Sequence, residues 1–314
     1  MKNEKHKLTL DNGNIVDAQT PLIVSASRAT DIPAFYCQWF FNRLSKGHVR
    51  WRNPYNGKDS YVSFDNTKFI VFWSKNPAPL LPFLPILKQK GIGCYVQYTL
   101  NDYEAEGLEP SVPPISGRIE TFKRLVDELG LGSVVWRFDP LILTDRISTE
   151  DLLHKISNIA GELRGYVEKL VFSFADISSY RKVGRNLSDA GINYHEWSED
   201  EMVEFSRRLA DMNLGLELAT CAEKIDLSEF GINHNRCIDP ELIVRLSPEL
   251  EPLIRNSKTD KGQRSLCGCI TSKDIGAYNT CPHGCAYCYA NTSPVSARQN
   301  YLTHQQNPDN DSII

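Results

Sequence analysis

Residues 69–77 read FIVFWSKNP, an apolar run rich in β-branched and aromatic side chains that ends in polar residues and a proline. Such a run predicts a strand that is buried on both faces, as in a parallel sheet. Five similar runs occur along the chain, and each is followed by a helix-like stretch. They span residues 22–25, 94–99, 133–139, 169–174 and 214–220.

The repeated strand-then-helix unit predicts an α/β fold, a partial TIM-like (β/α)6 barrel over residues 1–255. An open doubly wound sheet is the alternative, since a sequence shows the order of strands but not their closure. Asn56-Gly57 is typical of a hairpin turn, so a hairpin insertion is predicted near 50–64. Residues 256–298 contain five cysteines within 22 positions, a density typical of a metal centre, and are predicted to form an iron–sulfur segment packed on the barrel mouth. The polar residues 299–314 predict a disordered tail.

The net charge, the hydrophobicity and the cysteine content exclude some classes of protein. The net charge of −4 over 314 residues argues against a general polyanion-binding surface. The N-terminus is polar, and no run approaches the roughly 18 apolar residues of a membrane span. We therefore expect a cytoplasmic protein without membrane contact, in which the nine cysteines are thiols or metal ligands rather than disulfides.

Five of the nine cysteines lie within residues 267–288, and residues 281–288 read CPHGCAYC. Three thiolates spaced by three and two residues can wrap one face of a cubane cluster within one tight loop. Gly284 permits the sharp backbone path. A cluster held by Cys281, Cys285 and Cys288 leaves one iron without a ligand from this loop.

This loop resembles the signature of radical-SAM enzymes, Cys-x3-Cys-x2-Cys with an aromatic residue before the last cysteine, here Tyr287. Residues 284–289 are similar to the spore photoproduct lyase branch. Nearly the whole chain resembles a bacterial family of uncharacterised function with a radical-SAM-like cysteine cluster at its C-terminus. Residues 25–33, 73–77 and 136–140 carry that wider resemblance. Two departures are that the loop follows the last strand, and that no Gly-Gly-Glu-like segment follows the second.

The resemblance implies a [4Fe–4S] cluster and S-adenosyl-L-methionine (SAM), with reductive SAM cleavage followed by hydrogen abstraction from an unknown substrate. That substrate would be a small molecule or a nucleotide, and an electron donor such as a flavodoxin or ferredoxin would be required. One alternative is a SAM-independent redox enzyme, in which Cys221, Cys267 or Cys269 supplies a fourth ligand to the cluster. Cys267 and Cys269 could instead bind a second metal, act as redox-active thiols, or form a zinc site with Cys285 and Cys288.

Polar side chains follow all six predicted strands, which predicts a polar pocket at the barrel mouth. Among them, the candidate catalytic and ligand-binding residues are Lys75, Arg137 and Asp139, with Ser27, Arg28 and Asn76 beside Tyr287 as cofactor-binding residues. Arg28 and Arg137 are suited to clamp a carboxylate or phosphate. The alternative is that Arg28–Asp31 and Arg137–Asp139 are internal ion pairs.

Basic and aromatic residues alternate in the predicted hairpin, at Arg50, Trp51, Arg52 and Tyr55. This pattern raises the hypothesis of a nucleic-acid repair or modification protein. An exposed ribbon with ordinary surface side chains is favoured over it, given the negative net charge. We interpret His283, within the cysteine loop, as a loop residue rather than a metal ligand.

Overall fold

The computed structural model describes residues 5–10, 12–264 and 266–314, and strands alternate with helices through most of this length. The strands are β1 (Lys5–Thr9), β2 (Ile15–Gln19), β3 (Ile23–Ala26), β4 (His48–Arg52), β5 (Asp59–Ser63), β6 (Phe69–Ser74), β7 (Gly93–Thr99), β8 (Val134–Leu141), β9 (Leu143–Thr144), β10 (Lys169–Phe174), β11 (Tyr194–His195), β12 (Glu217–Thr220), β13 (Asn233–His234) and β14 (Lys273–Asp274). The helices are α1 (Ile32–Phe35), α2 (Cys37–Lys46), α3 (Leu84–Gln89), α4 (Ile115–Leu129), α5 (Thr149–Glu162), α6 (Arg181–Asp189), α7 (Glu199–Asp211), α8 (Pro240–Leu246), α9 (Glu251–Ile254) and α10 (Pro294–Gln306), with 3₁₀ turns at Ala78–Phe83, Ser228–Phe230 and Pro248–Leu250. Within the described ranges, no helix is both long enough and apolar enough to cross a membrane.

The central feature is a parallel sheet of eight strands in the order β14-β3-β6-β7-β8-β10-β12-β13. All six predicted strands are in it, so the α/β class and the parallel sheet are confirmed. The number six was too low, because β13 and β14 have only two residues each and show no periodic pattern.

The predicted barrel is not confirmed. The two edge strands, β13 and β14, are not paired with each other in the described chain. The segments beside these edges do approach, since the Ile270 amide donates to the Ile238 carbonyl at 3.2 Å. Apart from β14, which lies beside β3, the strands follow one another in chain order. The sheet is curled enough to bring the segments beside its edges into contact, without a closing ladder of strand pairing.

Successive residues of each strand face opposite sides of the sheet. On one side Val24, Ile70 and Val96 pack in the larger apolar cluster, which includes residues of the helices. On the other side Ile23 and Phe69 belong to a smaller cluster, which also contains three cysteines and has a fourth, Cys221, packed against it. Both faces are buried, as a parallel sheet requires.

A four-stranded sheet in the order β1-β2-β5-β4 lies outside the parallel sheet, and β4 and β5 form an antiparallel hairpin. The hairpin is where the Asn56-Gly57 pair predicts one, and Gly57 adopts a positive φ of 68°. The Trp51 indole donates to the Gly276 carbonyl at 3.1 Å. The hairpin thus contacts the segment that leads into the cysteine loop.

The C-terminal residues differ from the predicted disordered tail. Residues 294–306 form α10, and Arg50 makes an ion pair with Asp311 at 2.8 Å. The Trp39 indole donates to the Asn310 carbonyl at 2.8 Å, and Ile313 is only 3% exposed. These few anchors come from distant residues, so the polar composition of the tail does not reveal them.

Replacing Ile313 with alanine should lower the free energy of unfolding by about 2 kcal/mol, because a buried apolar side chain is lost and a cavity is left. Ile314→Ala is the matched control, since Ile314 is 44% exposed. Chemical denaturation of both variants checks this. Equal stability of the two would contradict the docked position of the tail.

Candidate metal centre

The cysteine loop, residues 281–288, turns sharply and lies against the chain that follows β7. Gly284 has a positive φ of 70°, and the Cys288 amide donates to the Cys285 carbonyl at 3.1 Å. The Ala286 amide donates to the Leu108 carbonyl at 2.9 Å. These contacts hold the loop beyond the carboxyl ends of the strands, where side chains from several strands can reach it.

Asp31 anchors the loop to the first strand-to-helix connection. Its carboxylate caps α1 through the Ala34 amide at 3.0 Å and accepts from the Ser74 hydroxyl at 2.7 Å. It also accepts from the Lys75 amide at 2.8 Å and lies 2.8 Å from Nε2 of His283. Burial raises the pKa of Asp31, but the hydrogen bonds from His283 and its other donors prevail and hold it below the usual value. His283 therefore positions the loop, in agreement with its interpretation as a loop residue.

A second buried network fixes the aromatic residue of the loop. The Lys75 ammonium lies 2.8 Å from Glu109 Oε1 and 2.8 Å from the Tyr287 hydroxyl. Tyr287 donates to Glu109, and Asn101 Nδ2 lies 3.1 Å from the same hydroxyl. Arg118 Nη1 lies 3.7 Å from the other carboxylate oxygen. Burial raises the pKa of Glu109, but Lys75 and Arg118 prevail and hold it below the usual value.

The loop thiols are the side chains of Cys281, Cys285 and Cys288. Cys285 is buried and the other two are half-buried. Burial raises the pKa of all three, so a metal must displace their protons. No group of three or more His, Cys, Asp or Glu side chains in the described ranges is already arranged as a metal site. The donor set itself, three thiols on one tight loop, is the kind that iron–sulfur clusters use.

Arg137 and Asp139, the predicted catalytic residues, form at the end of β8 the internal ion pair that was the alternative interpretation. Arg137 Nη1 also lies 3.2 Å from Gln97 Oε1, and the Ser173 hydroxyl donates to Asp139. Burial raises the pKa of Asp139, but Arg137 and Ser173 prevail and lower it. Nearby, burial raises the pKa of Glu223 to about 7. Charged groups are thus concentrated at this part of the sheet edge.

The alternative pair Arg28–Asp31 is not formed between these two described residues, because Asp31 is occupied as stated above. Arg28 instead lies over the Trp73 ring, 4.8 Å from its centroid, and its amide donates to Asp274 at 2.9 Å.

The predicted cofactor-binding residues Ser27 and Asn76 make hydrogen bonds with the backbone or with a neighbouring side chain. Ser27 Oγ accepts from the Ala29 amide at 2.9 Å. The Asn76 amide donates to Ser74 Oγ at 2.9 Å. Ser27 and Asn76 therefore shape the backbone of the pocket.

The remaining cysteines at the sheet form a separate group. Cys221 and Cys237 have their Sγ atoms 3.4 Å apart, and Cys267 and Cys269 have theirs 2.8 Å apart. The sequence analysis proposed Cys221, Cys267 and Cys269 as ligands of the loop cluster. In the fold, Cys221 contacts Cys237, Cys267 contacts Cys269, and both pairs belong to the smaller apolar cluster.

The sequence analysis did not identify two residues that contact the predicted site residues: Glu109, which contacts Lys75, and Cys237, which contacts Arg137. Glu109 lies in the long connection between β7 and α4, which has no periodic pattern. Cys237 follows β13, a strand too short to recognise, so nothing marked it as a strand-end residue. If β13 were long enough to predict from the sequence, Cys237 would have been a candidate as a residue that follows a strand.

A cleft of about 490 Å³ opens beside the loop, and its lining includes Gly107, Pro110, Gly284 and Ala286, with Arg185 and Asp189 from α6. One side of the cysteine loop is therefore accessible from this cleft.

Comparison with known proteins gives one match. A family model described as a domain of unknown function, DUF1848, covers residues 23–290. No curated protein and no solved structure matches the chain. The matched range includes all eight strands of the parallel sheet and the whole cysteine loop. The chain belongs to the DUF1848 family.

Proposed function

We propose that this chain is a [4Fe–4S] enzyme of radical-SAM type. The observation that carries the proposal is the placement of the three loop thiols beside residues that follow β3, β6 and β7. His283 contacts Asp31, and Tyr287 contacts Lys75 and Asn101. The loop thus has the spacing of the signature and lies where strand ends of an α/β sheet build active sites.

The loop thiols would hold the cluster, which when bound supplies the electron for reductive cleavage of SAM. The residues of this chain position the loop. Asp31 and His283 fix the first half of the loop, while Lys75 and Glu109 fix Tyr287. Lys75 is engaged by Glu109 and Tyr287, so we assign it a positioning role.

Arg28 is the residue best placed to bind an anionic group of SAM or of the substrate. Its guanidinium is half-buried and stacked over Trp73, a geometry that suits a planar carboxylate clamp. The Tyr289 hydroxyl donates to the Arg28 carbonyl at 2.8 Å, which joins this residue to the end of the cysteine loop. Arg137, Asp139 and Ser173 supply a hydrogen-bonded surface for a small polar substrate.

The accessible cleft beside the loop suits the approach of an electron donor such as a flavodoxin or ferredoxin. Arg185 lies in its lining, and Lys182 of the same helix is close enough to lower the pKa of Cys288, against the dominant effect of burial. Such donors are acidic, and the three basic side chains of α6, which outnumber its one acidic side chain, Asp189, would steer them to this cleft.

The alternatives have less support. The SAM-independent redox enzyme needs a fourth ligand at the loop, and the three candidates contact each other or Cys237 instead. The nucleic-acid hypothesis relied on the basic hairpin, yet Arg50 is neutralised there by Asp59 at 3.0 Å and Asp311 at 2.8 Å.

The test is EPR spectroscopy of anaerobically purified, dithionite-reduced protein with and without SAM. We expect a [4Fe–4S]+ signal that SAM perturbs. Cys285→Ala should reduce that signal at least about tenfold, since a cubane loses a ligand. Cys94→Ala, a thiol in β7 outside both cysteine groups, is the matched control and should keep it. A cluster signal that is indifferent to SAM and is lost in Cys285→Ala would favour the redox alternative, and the absence of any cluster signal that depends on Cys285 would refute both.

A further inference from the structure

Four cysteines outside the loop come together from three separate parts of the chain. This four-thiol group consists of Cys221, Cys237, Cys267 and Cys269. Cys221 directly follows β12, Cys237 lies three residues after β13, and the last two precede β14. The Sγ contacts of 3.4 Å and 2.8 Å join them in pairs. The two pairs lie side by side, because the amide of Ile238, the residue after Cys237, lies 3.3 Å from Cys269 Sγ. Cysteines separated by up to 48 positions in sequence thus lie in one cluster of side chains.

The group is enclosed by protein and supplied with hydrogen-bond donors. Cys237, Cys267 and Cys269 are at most 7% exposed. Arg137 Nη1 lies 3.3 Å and Asn235 Nδ2 lies 3.7 Å from the sulfur of Cys237.

Cys269 has donors of the same kind. The backbone amide of Ile238 lies 3.3 Å from its sulfur, and Arg28 Nη2 lies 3.8 Å from it. N–H groups directed at sulfur are what stabilises thiolates bound to a metal, whereas neutral buried thiols need no such donors.

The charges are also consistent with a metal–thiolate centre. Four thiolates around a divalent ion, or around a [4Fe–4S]2+ core, leave a net charge of about −2. A buried charge of this size requires compensating positive groups. Arg28 and Arg137 contact the group directly and compensate part of this charge, since Arg137 also pairs with Asp139.

The sulfur separations are closest to those of a single tetrahedral ion. Metal–sulfur bonds of about 2.3 Å place tetrahedral thiolates about 3.8 Å apart. Both observed contacts are somewhat shorter, and the described residues hold no ligand set already in place. Binding would therefore spread the sulfurs by rotation of the cysteine side chains, with loss of the thiol protons.

We propose that the four-thiol group binds a thiophilic metal centre, separate from the cluster of the loop. Its ligands come from segments beside β12, β13 and β14, so the centre joins the two edges of the parallel sheet. In the described chain, the backbone hydrogen bond from the Ile270 amide to the Ile238 carbonyl already joins the segments beside those edges. Four metal–sulfur bonds would join the same segments more strongly. The centre thus completes the closure that strand pairing leaves open.

The experiment starts from a full-length variant that combines Cys281→Ala, Cys285→Ala and Cys288→Ala. Anaerobically purified protein is analysed for zinc, iron and acid-labile sulfide. We expect about one metal centre per chain to remain, although any SAM-sensitive EPR signal is lost. Metal without sulfide identifies a single ion, and iron with sulfide identifies a cluster; both support four-thiolate binding. A metal-free variant would overturn the proposal, whatever becomes of the radical-SAM function.

Ligand identity is tested in two ways. Adding Cys237→Ala to the triple variant should lower bound metal at least about tenfold, whereas adding Cys94→Ala should leave it unchanged. X-ray absorption at the metal edge of the triple variant needs no further substitution, so it stands even if Cys237→Ala does not fold. About four sulfur ligands near 2.3 Å are expected for a single ion. A shell of mainly nitrogen and oxygen would overturn the proposal.

Discussion

Asp31→Ala should lower the free energy of unfolding by about 3–5 kcal/mol, because a buried ionic hydrogen-bonded partner is lost. Asp31 is 5% exposed and accepts hydrogen bonds from three different segments: α1, the end of β6 and the cysteine loop. Alanine leaves the Ser74 hydroxyl, the Lys75 amide and His283 without their acceptor. Denaturant unfolding of anaerobically purified protein measures the change.

The matched control is Asp127→Ala, which removes an exposed carboxylate on α4 and should change stability by less than about 0.5 kcal/mol. Asp31→Asn keeps an oxygen acceptor but not the charge opposite His283, so we expect an intermediate loss. The same samples report on the loop, since iron content should fall with Asp31→Ala and not with Asp127→Ala. An Asp31→Ala protein as stable as the control would show that the carboxylate does not hold these segments together.

The strands of the sheet were predictable where they are long. Runs such as 69–74 and 169–174 combine β-branched and aromatic residues over enough positions to be distinguished from helices. The two-residue strands β13 and β14 were not, because their pairing depends on neighbours distant in sequence. The extent of closure follows from those two strands, so a sequence cannot supply it.

In the candidate site, too, the residues marked by local sequence were predictable and those brought in by the fold were not. The loop thiols, Lys75, Arg137 and Asp139 were found because they occupy a recognisable spacing or a strand end. Their partners were not. Glu109 lies 34 positions from Lys75 and Cys237 lies 100 positions from Arg137, and only the folded chain brings these pairs together. Spacing rules identify ligands within one loop but not groups assembled from several segments.

Glu109→Gln should also lower the free energy of unfolding by about 3–5 kcal/mol. The carboxylate lies between Lys75 and Arg118, and the side chains of both Glu109 and Arg118 are 2% exposed. Within the described ranges, Nε and Nη1 of Arg118 have no hydrogen-bond partner, so the charge of Glu109 is what compensates them. A neutral amide leaves two buried cations facing each other. The midpoint of chemical denaturation gives the size of the loss.

Glu120→Gln, an exposed change on α4, is the control and should be nearly neutral. Combining Glu109→Gln with Lys75→Met removes both charges of the ion pair, so it separates the contribution of the ionic contact from that of side-chain packing. If the ionic contact carries the effect, the double variant should lose less stability than the two single changes added together, by about 0.5–3 kcal/mol. Strict additivity would show that Lys75 and Glu109 act independently. Since both contact the Tyr287 hydroxyl, iron retention by the cysteine loop should follow the same order as stability across these variants.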